Sequence, residues 1–468
     1  MTDYQALKKE LDGIEVEDNP TLVRQKSRDF HWYSPILKAQ LANVTGDLVV
    51  SPKTEEEVIR LLKVAYAHDV PVTARGTGTG NYGQAMPLAG GIVLNMAGMT
   101  RIKSIHPGRV VAEPGITLAK LDSSTKEHSG QELRFHPSTA TTATLGGFIA
   151  GGSGGIGSIT WGGLRDIGNI LRLRMVTMES EPRVLDLTCW DLQKVSHAYG
   201  TNGIITEAEM PLAPAYEWID LLVGFDDFLG AARFCDDLSH RNGILLKELA
   251  AVAAPIPYDC FHRYRPYLRR EQSVAVIMVA PHGIDPLAAV AAQRKGEILY
   301  RSDAAGNAGN LSRIYELTWN HTTLWAMKQN PAFTYLQVLY PGPDHVEKVA
   351  GLMDILGEEA PPHLEFIRFD GSVQCTGLPL VRYSTPERLE EIIRLHEDNG
   401  CPVFNPHRYT LEEGGMKRTD VVQLDFKKMT DPKGLLNPGK MIAWNNPGFD
   451  FNSGKTYLFP GLSKTIGA

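Results

Sequence analysis

At 468 residues the chain is too long for one ordinary hydrophobic core, so two domains are expected. Its 43% hydrophobic and 22% charged residues are ordinary for a globular protein, and a net charge of -7 argues against a nucleic-acid partner. No apolar run approaches the ~20 residues that span a bilayer, and the polar, acidic segment 1–20 lacks the apolar core of a secretory signal.

Five cysteines (Cys189, Cys235, Cys260, Cys375, Cys401) lie far apart without a CxxC pair, which fits reduced thiols in a cytoplasmic protein. The one unusual count is 45 glycines, concentrated between residues 75 and 163 and interleaved with apolar residues. Glycine clustered in an ordered region implies backbone brought close to something.

In chain order, residues 46–50 (GDLVV) read as a strand, and Thr54 caps a helix with Glu57 completing a capping box. Val58, Leu61, Leu62 and Ala65 give that helix one apolar face, and residues 71–74 form the next strand of a β-α-β unit. The loop RGTGTGNYGQAMPLAGG (75–91) leads to a strand at 92–95. A strand at 109–113 ends at Pro114-Gly115, and a helix is expected over 117–128. Residues 138–163 are rich in Thr and Gly, 173–177 and 183–187 read as a hairpin, and GIITE (203–207) opens another strand. From about residue 216 glycine thins out. Strands are expected at 333–340 and 363–369, a helix at 385–399 with Thr385 as N-cap and Gly400 as its stop, and a helix over 419–429. The turn-rich DPKGLLNPGKM closes the pattern.

The RGTGTG loop carries chemistry by its context. In a dinucleotide-binding Rossmann unit the glycines open a helix, but here Gly80 runs through Asn81, Tyr82 and Pro87 into a strand. A Walker loop is excluded because no GK[ST] closes it. What remains is a strand-loop-strand whose successive amides curl around an anion, with Thr77 and Thr79 as added hydroxyl donors. Arg75 either pairs with a phosphate or braces the loop. A second segment, HPSTATTATLGGFIAGGSGGIGSITWGG (136–163), makes a second backbone approach to one elongated ligand, and YGTNGIITEAEMPLAP (199–214) adds a tight turn into a strand.

Taken in order, RGTGTG, VVAEPGITLAKL, HPSTATTATLGG, GTNGIITEAEMPLAP and DPKGLLNPGKM resemble the vanillyl-alcohol oxidase / p-cresol methylhydroxylase (PCMH-type) family of FAD enzymes, over residues 46–215 and 431–442. The resemblance implies an α+β fold: a PCMH-type FAD-binding domain of two α+β subdomains with an inserted α+β cap. The division it implies is an N-terminal extension 1–45, an FAD domain 46–215, a cap 216–430 and a returning segment 431–468. It further implies that Arg75, Gly76, Thr77, Gly78, Thr79 and Gly80 form a pyrophosphate loop continued by Asn81 and Tyr82. Pro137, Ser138, Thr142, Gly146, Gly147, Gly151 and Gly157 would line the second approach. Ile205 would lie at the adenine-ribose side and Asn437 near the isoalloxazine. Thr79 stands where members that attach FAD through this loop carry His, and no Cys occurs in 151–157, so noncovalent FAD is the default.

Two polar-aromatic clusters in the cap segment are candidates for the chemistry: Trp319-Asn320-His321-Thr322-Thr323 and Asn405-Pro406-His407-Arg408-Tyr409. His321 or His407 could take a hydroxyl proton, and Arg408 could hold a carboxylate or a phenolate, with Tyr409 beside it. Tyr335 reads as core packing and Lys417 as a surface charge. The implied activity is hydride transfer from a small hydroxylated substrate, an aromatic or allylic alcohol or phenol, to FAD. One alternative is a D-lactate or glycolate type dehydrogenase. Such relatives carry a His-rich metal cluster, whereas the nearest segment here, RFDGSVQCTG (368–377), has no histidine, so no metal is expected. The other alternative is a noncatalytic flavin-binding subunit. The electron acceptor stays open among oxygen, a quinone, a cytochrome and a flavoprotein; Pro114 does not exclude oxygen. A homodimer is an assembly the sequence permits.

Overall fold

The computed structural model describes residues 3–304 and 311–463. A first sheet runs in the order β1-β2-β4-β3, from β1 (Glu15–Glu17), β2 (Leu48–Ser51), β3 (Val72–Arg75) and β4 (Ile92–Asn95). β2, β4 and β3 are parallel, as the helix Glu55–Ala67 between β2 and β3 demands. The Thr54 hydroxyl accepts from the Glu57 amide at 3.2 Å, and the Glu57 carboxylate accepts the Lys53 amide at 2.6 Å. Val58, Leu61, Leu62 and Ala65 are fully buried, so the apolar stripe faces the sheet.

Two segments expected outside this layer are built into it. β1 pairs antiparallel with β2, and Leu7, Leu11 and Ile14 enter the same core, so residues 3–45 are not a mere extension. At the other edge, Val72 donates to the Leu435 carbonyl and accepts from the Asn437 amide, both at 2.9 Å. The closing segment thus covers the free edge of β3.

The second sheet has the order β5-β6-β10-β8-β9, from β5 (Ile102–His106), β6 (Arg109–Ala112), β8 (Arg172–Val176), β9 (Val184–Leu187) and the eleven-residue β10 (Ile204–Pro214). A short β7 (Gln131–Leu133) pairs with the far end of β10. The hairpin expected at 173–187 is β8 and β9, with Leu173 opposite Leu187. The Thr/Gly-rich stretch holds two short helices, Leu145–Gly151 and Ser158–Trp161.

The third sheet is antiparallel and seven-stranded: β11 (Ile219–Phe225), β12 (Leu246–Val252), β13 (Ser273–Val279), β14 (Glu297–Arg301), β16 (Val338–Tyr340), β17 (His363–Phe369) and β18 (Ser372–Gly377), in the order β14-β11-β13-β12-β17-β18-β16. Every residue of β11, β12 and β13 is buried, because apolar clusters cover both faces. The helix Pro386–Asp398 packs here with Thr385 as its cap, and Gly400 ends the turn at φ +72. The helix expected at 419–429 runs Val421–Thr430, because Asp420 caps it by accepting the Gln423 amide at 2.9 Å.

The strand expected over 333–340 is broken. β15 (Phe333–Tyr335) pairs with β19 (Leu380–Arg382), whereas β16 pairs with β18. With two different partners the strand is interrupted at Leu336-Gln337. Gln337 lines the cleft beside the glycine loops, where its amide donates to the Tyr82 hydroxyl at 2.5 Å.

Candidate cofactor site

A cleft of about 1510 Å³, counted out to its open mouth, is lined by the two glycine-rich segments and by Trp319, Asn320 and Gln337. Arg75 through Tyr82 line one side of it, and Pro137, Ser138, Gly146, Gly147 and Gly151 line another. Ile205 reaches it beside a β-bulge in β10, a common device for re-aiming a residue at a site.

Arg75 braces the loop. Its guanidinium donates to the carbonyls of Lys26, Arg28 (3.0 Å), Gly76 (3.1 Å) and Thr77 (2.6 Å). Burial lowers its pKa, yet an arginine stays charged and is used here as a backbone clamp. The glycines let two loops interlock. A Cβ at Gly76 would overlap the Thr144 hydroxyl, and one at Gly147 would lie 2.9 Å from the same oxygen. Thr77 closes the contact by donating to the Thr142 carbonyl at 2.6 Å, so Thr142 joins the loops rather than lining the cleft. Gly157 also lies behind the wall: it holds φ +104 and donates to the Lys247 carbonyl at 2.6 Å.

Among the described residues, the amides of residues 77–81 reach no protein acceptor. A run of unspent N–H donors in a concave, glycine-rich turn suits a pyrophosphate. Those free amides, with Gly146, Gly147 and Gly151 opposite them, mean that the residues present fit FAD.

Asn437 sits just outside the cleft with φ +40. Its amide donates to the carbonyls of Gln84 (2.8 Å) and Tyr199 (2.7 Å), two residues of the wall. Tyr199 itself is held at φ +54, and its buried hydroxyl has no partner. Burial raises the phenols of Tyr33, Tyr82 (up to about 12) and Tyr199, so all three stay protonated donors.

Sequence reasoning missed the N-terminal wall. Asp29, Phe30 and Tyr33 line the cleft. The strap is pinned at its start: Phe30 donates to the Gly80 carbonyl at 2.7 Å, and the Asp29 carboxylate accepts the Ala85 amide at 3.2 Å. On the other side Thr334 donates to the Tyr33 carbonyl at 2.7 Å. The aromatic run FHWY within a polar stretch was the available signal.

The candidates for chemistry fall differently. Trp319 and Asn320 line the cleft; His321, one residue on, does not. Burial pushes the His321 imidazole down to about 4. His407 is a buried strut: its ring nitrogens meet the Ser34 hydroxyl (2.7 Å) and the Tyr335 carbonyl (2.9 Å), and burial pushes it down to about 4. Tyr409 stacks under the Lys440 ammonium. Arg408 pairs with Glu390 at 2.7 Å on the surface. Such a pair contributes about 0–1 kcal/mol. Arg408→Ala is therefore expected to leave both FAD content and substrate-driven flavin reduction within about twofold of wild type; a selective loss of reduction would return Arg408 to the site. Tyr335 is fully buried core. Lys417 is buried too, not a surface charge: it donates to the Gln193 and Ser196 carbonyls, and burial pushes it down to about 7. Among the described residues, no group of three or more His, Cys, Asp and Glu has metal-holding geometry, and no helix is long and apolar enough to cross a membrane.

Comparison with known proteins agrees with this geometry. The FAD binding domain family matches residues 46–186. An uncharacterised FAD-linked oxidoreductase of Mycobacterium tuberculosis is 32% identical over 190 residues, 38% of this chain and 40% of that protein. A D-lactate dehydrogenase of Archaeoglobus fulgidus is 34% identical over 177 residues, 36% and 39% of the two chains. These matches span about two fifths of the relatives' length. The glycolate oxidase subunit GlcD of Escherichia coli is 27% identical over 84% of this chain and 83% of its own. An alkyldihydroxyacetonephosphate synthase structure shares the fold, with a TM-score of 0.70 at 16% identity over 94% of this chain and 85% of its own. With an FAD binding domain over residues 46–186, FAD as its cofactor and this α+β fold, the chain is similar to FAD-linked oxidoreductases of the PCMH-type family.

Proposed function

We propose that the protein oxidises a small, neutral hydroxylated compound, an aromatic or allylic alcohol or a phenol, at the cleft walled by residues 75–82 and by Trp319, Asn320 and Gln337. FAD supplies the hydride acceptor there, and the protein binds, orients and shields the substrate. The observation that carries this reading is the wall facing the glycine loops. It presents Tyr33, Tyr199, Trp319, Asn320 and Gln337, all neutral, beside the Asp29 carboxyl group, which accepts the Ala85 amide. Among the described residues Arg75 is the one cation of the lining, and it is engaged with backbone carbonyls. Protonated phenols can donate to a substrate oxygen, and the rings stack on an aromatic body. We further assign residues 75–82, 137–138, 146–147, 151 and 205 to noncovalent FAD contacts, and residues 216–430 to the cap.

A D-2-hydroxy acid substrate is the second reading. The likeness to glycolate oxidase GlcD over 83% of that protein supports it. Anaerobic flavin bleaching separates the two. Neutral alcohols or phenols are expected to reduce the flavin and D-lactate or glycolate to leave it oxidised; the reverse order refutes the first reading. Bleaching by neither class favours a noncatalytic flavin subunit. Reoxidation in air then sorts oxygen from a quinone, cytochrome or flavoprotein acceptor.

A further inference from the structure

We propose that the phenol of Tyr199 donates a hydrogen bond to the ring system of bound FAD, and that side chains of residues 417–437 are positioning residues that clamp the turn carrying it. The inference rests on FAD as the cofactor and holds whichever substrate is oxidised.

Tyr199 lines the cleft, is buried, and its hydroxyl has no protein partner. Among the described residues it is the one buried hydroxyl of the lining in that state; the Tyr82 hydroxyl takes the Gln337 amide. Native proteins leave few buried polar groups unpaired, because each costs about 1–3 kcal/mol. Burial holds the phenol protonated, so it has an O–H to give. A guest in the cleft must therefore bring an acceptor, and the flavin ring does, in its carbonyl oxygens and ring nitrogens. The phenol belongs to an aromatic cluster with Tyr33, Tyr82 and Tyr335, surroundings that suit a flat ring better than a phosphate.

The backbone is fixed around this side chain. His197 and Tyr199 stand at φ 48 and φ 54, left-handed values that persist in such residues only where the surroundings over-determine them. On one side the turn is zipped to the helix Leu145–Gly151: the amides of His197 and Tyr199 donate to the carbonyls of Ile149 and Ala150, both at 2.9 Å. On the other side, side chains from far along the chain take its carbonyls. Lys417 holds those of Gln193 and Ser196, and Gln423 holds that of Lys194 at 2.8 Å. Lys427 holds Thr201 at 2.8 Å, Thr430 holds Asn202 at 3.0 Å, and Asn437 holds Tyr199 itself at 2.7 Å. Both lysines are buried. Burying an ammonium group is costly, so spending two on one turn marks a position that the fold fixes tightly.

Reduction makes the flavin ring richer in electrons, so a fixed donor at an acceptor atom stabilises the reduced form more than the oxidised form. The test titrates FAD-loaded protein with dithionite against a reference dye, so no substrate is involved. Tyr199→Phe keeps the ring and removes only the hydroxyl. Its midpoint potential is expected to fall by about 30 mV, a loss of about tenfold in preference for the reduced form. The apoprotein of this variant should resist urea at least as well as wild type, because it loses an unpartnered buried hydroxyl. Lys417→Met should lower the potential too, but add nothing once residue 199 is Phe. Thr430→Val takes its place if Lys417→Met does not fold. An unchanged potential in Tyr199→Phe overturns the proposal: with FAD affinity kept, the phenol does not touch the flavin, and with affinity lost, it touches the phosphate or sugar part. Weaker urea resistance of the apoprotein overturns it as well, since the hydroxyl would then have a protein partner. Equal shifts from Lys417→Met with Tyr or Phe at 199 overturn the clamp.

Discussion

A Gly78→Val protein is expected to purify colourless. Gly78 holds φ +77, and a left-handed conformation costs a β-branched residue roughly 1–2 kcal/mol or more. Its Cβ would overlap the Arg75 guanidinium and stand 2.8 Å from the Arg28 carbonyl. Overpacking of this kind adds about 1–3 kcal/mol. The loop cannot absorb it cheaply, because Arg75 ties four carbonyls together. Together the two penalties weaken FAD binding on the order of 100-fold or more. Flavin-to-protein absorbance and FAD titration of the apoprotein check this. Stoichiometric FAD in the variant would show that the loop does not hold the cofactor.

Asp431→Ala is expected to cost about 3–5 kcal/mol of unfolding free energy. The Asp431 carboxylate is fully buried and accepts the Lys427 ammonium (2.7 Å) and the amides of Leu435 (2.9 Å) and Leu436 (2.8 Å). Its removal leaves a buried cation and two orphaned amides. The Lys427 ammonium would keep only the Thr201 carbonyl at 2.8 Å and the face of Trp444. The closing segment would then loosen from the edge of β3, and Asn437 would release the carbonyls of Gln84 and Tyr199. Urea unfolding of apo and holo protein reads the loss, and FAD affinity should fall with it. A change below about 1 kcal/mol would mean that water replaces the carboxylate, as at an ordinary surface position.

The sequence was most informative where backbone rules act locally. The helices Glu55–Ala67 and Pro386–Asp398 are legible because apolar spacing and an N-cap threonine agree on them. The glycine loops are legible because Gly80 leads into a strand and not into a helix. Residues whose role depends on distant partners were opaque. His407-Arg408-Tyr409 has the chemistry of a site, but nothing local shows that His407 turns to Ser34 and Tyr335 while Arg408 points to the surface. Lys417 looked solvated because a lysine whose ammonium is taken by backbone carbonyls leaves no mark on its neighbours in sequence. The break at Leu336-Gln337 was hidden for the same reason: it is set by the separate partners of β15 and β16.

The N-terminal strap gives the protein a built-in timetable. Ser34 meets His407 across 373 residues, Tyr33 meets Thr334 across 301, and Asn437 meets Gln84 across 353. Contacts so distant in sequence form late, because the chain between them must first be ordered. On the ribosome, residues 29–33 emerge early and wait for strands made much later. The wall around the flavin is therefore complete only once nearly the whole chain has been synthesised, and tight cofactor capture becomes a mark of a finished molecule.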